Sequence, residues 1–142
     1  MANTDVAGDR GLDTSVVMRL LTRQPPAQAS RAFALVREAR EAGRTVMVTD
    51  LVVAEAYFAL HHHYDVPKPD AARALLALLL SGDALPEPGS RAIQALQSSL
   101  SAGQKPGFVD RLIHAQYARL GRRLVSFEAA ARKLQDAVVL EA

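Results

Sequence analysis

The stretch GRTVMVTDLVVAE, residues 43–55, predicts a short β-strand that passes directly into an α-helix. Gly43 suits the left-handed conformation in which a preceding helix commonly ends. Residues 45–48 are β-branched except for Met47 and are uninterrupted by turn residues, which is typical of a strand buried on both faces. Thr49 and Asp50 then provide a cap for the next helix. This stretch indicates an α/β fold in which strands and helices alternate.

The same alternation extends along the rest of the chain. Further buried strands are predicted at residues 122–125 and 137–140, and a weaker first strand at residues 6–12, where two glycines and a charge pair interrupt the apolar pattern. Helices are predicted over residues 27–42, from the Thr49 cap to about His63, and over residues 69–80, 89–100 and 108–120. The pattern predicts a single domain, residues 1–142, with a mainly parallel sheet covered by helices on both faces. The helix over residues 69–80 is leucine-rich on several sides, so we expect it to be largely buried or to meet another chain.

The composition narrows the classes of function. The chain has 142 residues, 49% of them hydrophobic, and no cysteine, which excludes disulfide scaffolds, thiolate metal sites and cysteine nucleophiles. It contains no apolar run of about 18 residues and no leader-like N-terminus, so we expect a cytoplasmic protein that does not enter a membrane. The net charge is only +2, but residues 101–135 hold seven Lys and Arg against two Asp and Glu. That basic stretch can face nucleic-acid phosphates, or it can be an ordinary solvated helix surface.

Acidic residues follow the predicted strands. Ligands of open parallel sheets bind beyond the carboxyl ends of the strands. Asp13 follows the first predicted strand, Glu128 follows the strand at residues 122–125, and Glu55 lies on the helix that leaves residues 45–48. Apolar residues surround Glu55 in the sequence, so its carboxylate is predicted to need a partner, either a metal ion or an arginine. The alternative is that the carboxylate is exposed on a narrow polar stripe of the helix.

Two of the acids also have ordinary structural explanations. Asp110 lies in the first turn of its predicted helix, where the helix dipole and free N–H groups favour a carboxylate. Asp13 precedes an apolar helix and fits an N-cap. The combination of the acids carries more information than either residue alone.

Four short motifs occur in a characteristic order. They are Asp13-Thr14-Ser15-Val16-Val17, the lone Glu55, FVDRLI at residues 108–113, and LVSFE at residues 124–128. In their order and spacing the chain resembles the VapC-like toxin ribonucleases of the PIN domain family, over nearly its full length.

The resemblance implies a PIN-like three-layer α/β/α fold with a central, mainly parallel sheet. It implies a metal-dependent ribonuclease in which Asp13, Glu55 and Asp110 bind Mg²⁺ or Mn²⁺ and Glu128 contributes to the same site. Thr14, Ser15 and Ser126 would supply supporting hydroxyl groups, and the candidate RNA contacts are Arg111, His114 and Arg122. It also implies RNA as the substrate, a VapB-like antitoxin protein as a partner, and a homodimer. Carboxylate oxygens are the ligands that these hard cations prefer.

The sequence departs from the family pattern at two positions of the site. Glu128 stands where the family usually has aspartate, and Gly107 stands where many VapC-like members have an acid. A second hypothesis is therefore a catalytically weakened, PIN-like interaction module. A third is a nuclease with the same site that cuts DNA.

Overall fold

In the computed structural model, which describes residues 9–142, helices alternate with short parallel strands. The helices are α1 (Thr14–Thr22), α2 (Pro26–Glu41), α3 (Asp50–His63), α4 (Lys68–Leu80), α5 (Ala92–Ala102) and α6 (Phe108–Arg119). The strands are β1 (Arg10–Gly11), β2 (Val46–Val48), β3 (Leu85–Pro86), β4 (Val125–Ser126) and β5 (Val138–Val139), and a 3₁₀ helix, Ala129–Lys133, lies between the last two. The predicted α/β class is confirmed.

Strand β2 lies at the centre of a three-stranded parallel sheet with the order β1-β2-β3. Val46 and Val48 are buried, as the uninterrupted β-branched pattern predicted. The Thr49 hydroxyl then accepts a hydrogen bond from the Val52 N–H at 3.3 Å, which begins helix α3 where the sequence placed it. Because all three strands are parallel, the chain leaves each of them at the same edge of the sheet.

Strand β1 is short and exposed at Arg10 and Gly11, in keeping with its weak apolar pattern. Residues 6–8 of the predicted first strand lie outside the described residues. The Asp9 carboxylate accepts hydrogen bonds from the backbone N–H and the hydroxyl of Thr45, at 3.4 and 3.2 Å. These contacts fasten the start of β1 beside β2.

Strand β3 was not predicted, because Pro86 and its neighbours resembled a turn. Proline has no N–H to donate and is therefore found at sheet edges, and β3 pairs with β2 alone in the part of the sheet described. The Glu87 N–H donates to the Val48 carbonyl at 3.1 Å and extends the pairing past Pro86. The helix predicted from residue 89 begins instead at Ala92.

The strands near the C-terminus differ from the prediction. Strand β4 covers Val125 and Ser126 and pairs with β5 in a separate two-stranded parallel sheet. Arg122 and Arg123 are exposed and Val125 is 56% exposed, so the buried strand predicted at residues 122–125 is wrong. A strand in a two-stranded sheet has a partner on one side only, so the β-branched residues of β4 and β5 are only partly covered.

The leucine-rich helix α4 is largely buried, as expected. Leu75 is fully buried and Leu79 is 3% exposed, whereas Leu80 at the end of the helix is 60% exposed. Within residues 9–142, none of the helices combines the length and the hydropathy that a membrane span requires.

Substitution of Leu75 by alanine should lower the free energy of unfolding by about 2–5 kcal/mol, because it removes buried methyl groups and leaves a cavity. The matched variant Leu80→Ala lies on the same helix but removes a mostly exposed side chain, and its effect should stay within about 0.5 kcal/mol. Urea unfolding of both variants measures the difference. Equal losses would contradict the burial assigned to α4.

Candidate functional site

Asp13 lies at the carboxyl edge of the sheet, two residues beyond β1 and directly before α1. It occupies the N-cap position of α1, yet its side chain makes no capping hydrogen bond to the helix. The Ser15 hydroxyl instead donates to Asp13 Oδ2 at 3.2 Å. The carboxylate is exposed and has acceptor capacity left for a further ligand.

Glu55 is exposed and forms no ion pair with the Lys and Arg residues that the structure describes, so of the alternatives above its apolar neighbours do not enclose the carboxylate and an arginine does not pair with it. Consecutive helix residues lie about 100° apart, and apolar neighbours in sequence therefore point to other sides of the helix. The Thr14 hydroxyl donates to Glu55 Oε1 at 3.4 Å. This contact joins the start of α1 to the middle of α3 and brings Asp13 and Glu55 to the same corner of the molecule.

Asp110, Ser126 and Glu128 line one cavity of about 560 Å³. Asp110 lies in the first turn of α6, as predicted. Glu128 is the N-cap residue of the 3₁₀ helix, but its side chain makes no capping hydrogen bond. Its backbone N–H donates to the Ser126 hydroxyl at 2.9 Å, which fixes the turn that carries the carboxylate.

Tyr57, on helix α3, contacts the start of α6, the helix that carries Asp110. Its side chain is buried, and its ring meets Phe108 edge-on with centroids 5.2 Å apart. Burial raises the pKa of the Tyr57 phenol, and the negative charge of Asp110 raises it further. Asp110 therefore lies close enough to α3, the helix of Glu55, for its charge to act on Tyr57.

The chemistry of these donors fits a hard divalent cation. Within residues 9–142, none of the four carboxylates forms an ion pair with Lys or Arg. Carboxylate and hydroxyl oxygens are the ligand types that Mg²⁺ and Mn²⁺ prefer. In this arrangement, however, no three His, Asp or Glu side chains of the described residues form a group that could hold a metal ion. The sharing of one ion by Asp13, Glu55 and Asp110 stays a prediction, and it requires the two pairs of acids to move together when a cation binds.

The absence of a side chain at position 107 has a local structural reason. A Cβ atom at this position would lie 3.2 Å from the Gln104 carbonyl oxygen and 3.9 Å from the Tyr57 hydroxyl. The first of these distances is tighter than ordinary van der Waals contact. An acidic side chain at position 107 would therefore require the preceding loop to shift.

The predicted RNA contacts differ in their environments. The Arg111 guanidinium donates to the carbonyl oxygens of Pro106 (2.8 Å) and Gly103 (3.2 Å), so it holds the loop before α6. His114 Nε2 lies 2.8 Å from the Gln135 carbonyl and fastens the segment after the 3₁₀ helix. The exposed Arg122 lines a smaller cavity of about 360 Å³.

Two further cations were not singled out from the sequence, and one of them, Lys105, was counted only as part of the basic stretch at residues 101–135. Lys68 and Lys105 are exposed and line the same 560 Å³ cavity as Asp110 and Glu128. Lys68 opens helix α4, far from the acids in sequence. No local motif marks either residue, because only the fold brings them to this cavity.

Asp50 was interpreted only as part of a helix cap, but it is the centre of a buried polar cluster. It is 6% exposed, and its carboxylate accepts hydrogen bonds from the Ser90 hydroxyl (2.5 Å) and from Gln116 Nε2 (3.0 Å). Its backbone N–H donates to Glu87 Oε1 at 2.6 Å. The cluster joins α3, the segment after β3, and α6.

The family model of the PIN domain matches residues 12–137, which is most of the chain. This chain belongs to the PIN domain family. The predicted PIN-like fold, three layers with a central parallel sheet, is thereby confirmed. PIN domains are generally nucleases and usually use divalent metal ions.

Among solved structures, the chain is similar to VapBC2 from Rickettsia felis bound to a DNA fragment from their promoter. The identity is 15%, the TM-score is 0.36, and the match covers 93% of this chain and 97% of the other. No curated protein was found to match the sequence.

The role of Arg111 in holding its loop gives a direct test. Arg111→Met should lower the free energy of unfolding by about 1–2 kcal/mol, because two hydrogen bonds from a charged donor to backbone carbonyls are lost. Arg122→Met removes the same charge from an exposed position and should change stability by less than about 0.5 kcal/mol. Thermal unfolding measures both variants. An unchanged free energy of unfolding in Arg111→Met would mean that the guanidinium does not hold the loop.

Proposed function

We propose that this PIN domain is a divalent-metal-dependent endoribonuclease, the toxin of a type II toxin–antitoxin pair that acts on RNA in the cytoplasm. The observation that carries the proposal is the set of four carboxylates without Lys or Arg partners, Asp13, Glu55, Asp110 and Glu128, on a domain of a nuclease family. The acids lie as two pairs, and carboxylates that come together repel one another until a cation neutralises them. Such a set is therefore suited to an ion rather than to stabilising the fold.

The four carboxylates would hold Mg²⁺ or Mn²⁺, with Asp13, Glu55 and Asp110 as the principal ligands. The bound ion would supply an activated water for attack on a phosphodiester and would neutralise charge on the phosphate oxygens. The proposal needs no histidine base.

The remaining residues of the site would hold the acids in position through hydrogen bonds. The Thr14 hydroxyl holds Glu55 through Oε1, and the Ser15 hydroxyl holds Asp13 through Oδ2. Ser126 accepts the backbone N–H of Glu128, which keeps that acid at the rim of the cavity. This bond to the main chain leaves the longer side chain of Glu128 free to reach an ion directly or through water.

Cations in the same cavity would bind the RNA backbone. Lys68 and Lys105 line the cavity together with Asp110 and Glu128. Neutralising phosphates with Lys releases condensed counterions and favours binding at low salt. Arg122 is a further exposed cation, whereas Arg111 and His114 already bind backbone carbonyls.

The toxin role adds two proposed partners, a VapB-like antitoxin and a second copy of this chain. The family resemblance supports both. Helix α3 presents Leu51 and Phe58, which are 71% and 43% exposed, on neighbouring parts of its surface. Apolar surface of this kind is typical of protein contacts.

One observation favours the second candidate function, a PIN-like interaction module without catalysis. The described residues include no preassembled group of three acidic or histidine side chains that could hold a metal. In such a module the acids would remain separate and exposed. Metal binding and cleavage distinguish the two functions.

Asp13→Asn should lower the rate of RNA cleavage by at least about 100-fold while the unfolding temperature stays unchanged, because an amide binds a hard cation less well than a carboxylate. Asp83→Asn is the matched control, since Asp83 pairs with Arg40 near the opposite edge of the sheet. Cleavage of a labelled RNA oligonucleotide with Mn²⁺ measures both, and the matched DNA oligonucleotide tests the third hypothesis. Equal rates for Asp13→Asn and wild type would remove Asp13 from the site.

Addition of Mn²⁺ should raise the unfolding temperature, because a ligand that binds only the folded state stabilises it by mass action. At a free Mn²⁺ concentration of 100 times the Kd, the free energy of unfolding should rise by about 2.7 kcal/mol. Glu55→Gln should reduce this stabilisation. Glu141→Gln, a change of the same kind at an 89% exposed side chain, should not. Differential scanning calorimetry measures the shift. Absence of any shift in wild type would favour the noncatalytic module.

A further inference from the structure

Helices α3 and α6 are joined at two points. Near the start of α6, the Phe108 ring meets the Tyr57 ring edge-on. Two turns later, Gln116 Nε2 donates to Asp50 Oδ2 at 3.0 Å. The contacts lie seven residues apart on α3 and eight on α6, spans of about 10–12 Å, and their reversed order shows that the helices run antiparallel.

The two contacts differ in what they can fix. An edge-on contact between two buried rings loses its dispersion energy gradually as the rings shift, so it restrains the helices without setting one exact position. A hydrogen bond requires its donor and acceptor within about 3.2 Å and near-linear geometry, so it sets one position along the axis. Of these two contacts between α3 and α6, the Asp50–Gln116 bond therefore sets the position along the axis more exactly.

The Asp50 carboxylate is itself held firmly. The Ser90 hydroxyl donates to Oδ1 at 2.5 Å and accepts the Ala92 N–H at 3.0 Å, which ties the carboxylate to the start of α5. The Arg119 guanidinium, one turn after Gln116, donates to the Gly89 carbonyl at 3.2 Å. Helix α6 is therefore attached at neighbouring positions to the same segment after β3.

Both proposed metal ligands of these helices lie between the two contacts. Glu55 is located between Asp50 and Tyr57 on α3, and Asp110 is located between Phe108 and Gln116 on α6. A slip of one helix along the other would change the separation of the two carboxylates by at most the length of the slip. The two pairs of acids must move together before they share an ion, and Mg²⁺ accepts oxygen ligands only at about 2.0–2.1 Å in near-octahedral geometry. A slip of one helix on the other would therefore add to the movement that ion binding requires.

We propose that Asp50 and Gln116 are a positioning pair that fixes the register of α6 on α3 and so sets the separation of Glu55 and Asp110. The consequence for metal binding rests on the proposed function, whereas the register itself does not. Neither residue touches the ion or the substrate in this proposal. They act through the helices that carry the ligands.

The test uses a swap of the hydrogen-bonding groups. Gln116→Glu places a second carboxylate against Asp50, so that attraction becomes repulsion. Adding Asp50→Asn restores a bond in the opposite direction, from the new amide to the new carboxylate, and returns the pair to its original total charge. Gln97→Glu, at an exposed position of α5, adds the same charge elsewhere and is the matched control.

Two measurements report separately on the register of the helices and on the affinity of the metal site. The chain has no cysteine, so spin labels at His63→Cys and Ala118→Cys, both exposed, report the distance between α3 and α6 by double electron–electron resonance. Isothermal titration with Mn²⁺ alone reports the affinity of the site without any cleavage assay. Circular dichroism confirms that each variant is folded.

Gln116→Glu should shift or broaden the distance distribution and weaken Mn²⁺ binding about tenfold. The Asp50→Asn/Gln116→Glu variant should recover both, and Gln97→Glu should change neither. If Gln116→Glu does not fold, Gln116→Ala removes the bond without adding charge and should change both readouts in the same direction. An unaltered distance in Gln116→Ala overturns the proposal, as does an altered distance with wild-type Mn²⁺ affinity. Wild type that binds no Mn²⁺ would instead refute the proposed function, and the distances would still decide whether the pair sets the register.

Discussion

The parallel pairing of β2 with both of its neighbours is the constraint on which the candidate site depends. Because β1, β2 and β3 run in one direction, their carboxyl ends lie at one edge, and an acidic residue follows each within two positions: Asp13, Asp50 and Glu87. The fold uses these acids differently. Asp50 and Glu87 satisfy buried and half-buried hydrogen-bond donors, whereas Asp13 keeps its carboxylate exposed. One edge thus provides both the support of the site and one of its proposed ligands.

Much of the fold could be predicted from local sequence. The β-branched run at residues 45–48 and the Thr49 cap determine β2 and the start of α3, because burial and capping are short-range effects. Strand β3 could not be predicted in the same way. Pro86 indicates a turn unless it is known that the strand lies at an edge, and that is a property of the assembled sheet. For the same reason, the exposure of Val125 depends on which strand pairs with β4.

The order of the motifs selects the acids that are proposed as ligands, but it predicts only part of their environment. Motif order identified the four acids, and the structure brings them together as two pairs, Asp13 with Glu55 and Asp110 with Glu128. The exposure of Glu55 follows from helical periodicity, which turns its apolar neighbours in sequence away from its side chain. The role of Asp50 depends on Ser90 and Gln116, which are 40 and 66 residues away in sequence. Contacts over such separations leave no local pattern.

The attachment of Arg111 affects how the wall of the cavity can move. Its guanidinium binds the carbonyl oxygens of Gly103 and Pro106, in the loop that contributes Gln104, Lys105 and Pro106 to the cavity. Because Arg111 follows Asp110 directly on α6, the loop and the first turn of the helix form one cooperative unit of local unfolding. Opening of this wall is therefore expected to displace an acid and a lysine of the cavity together, because the loop is coupled to the first turn of α6 through Arg111.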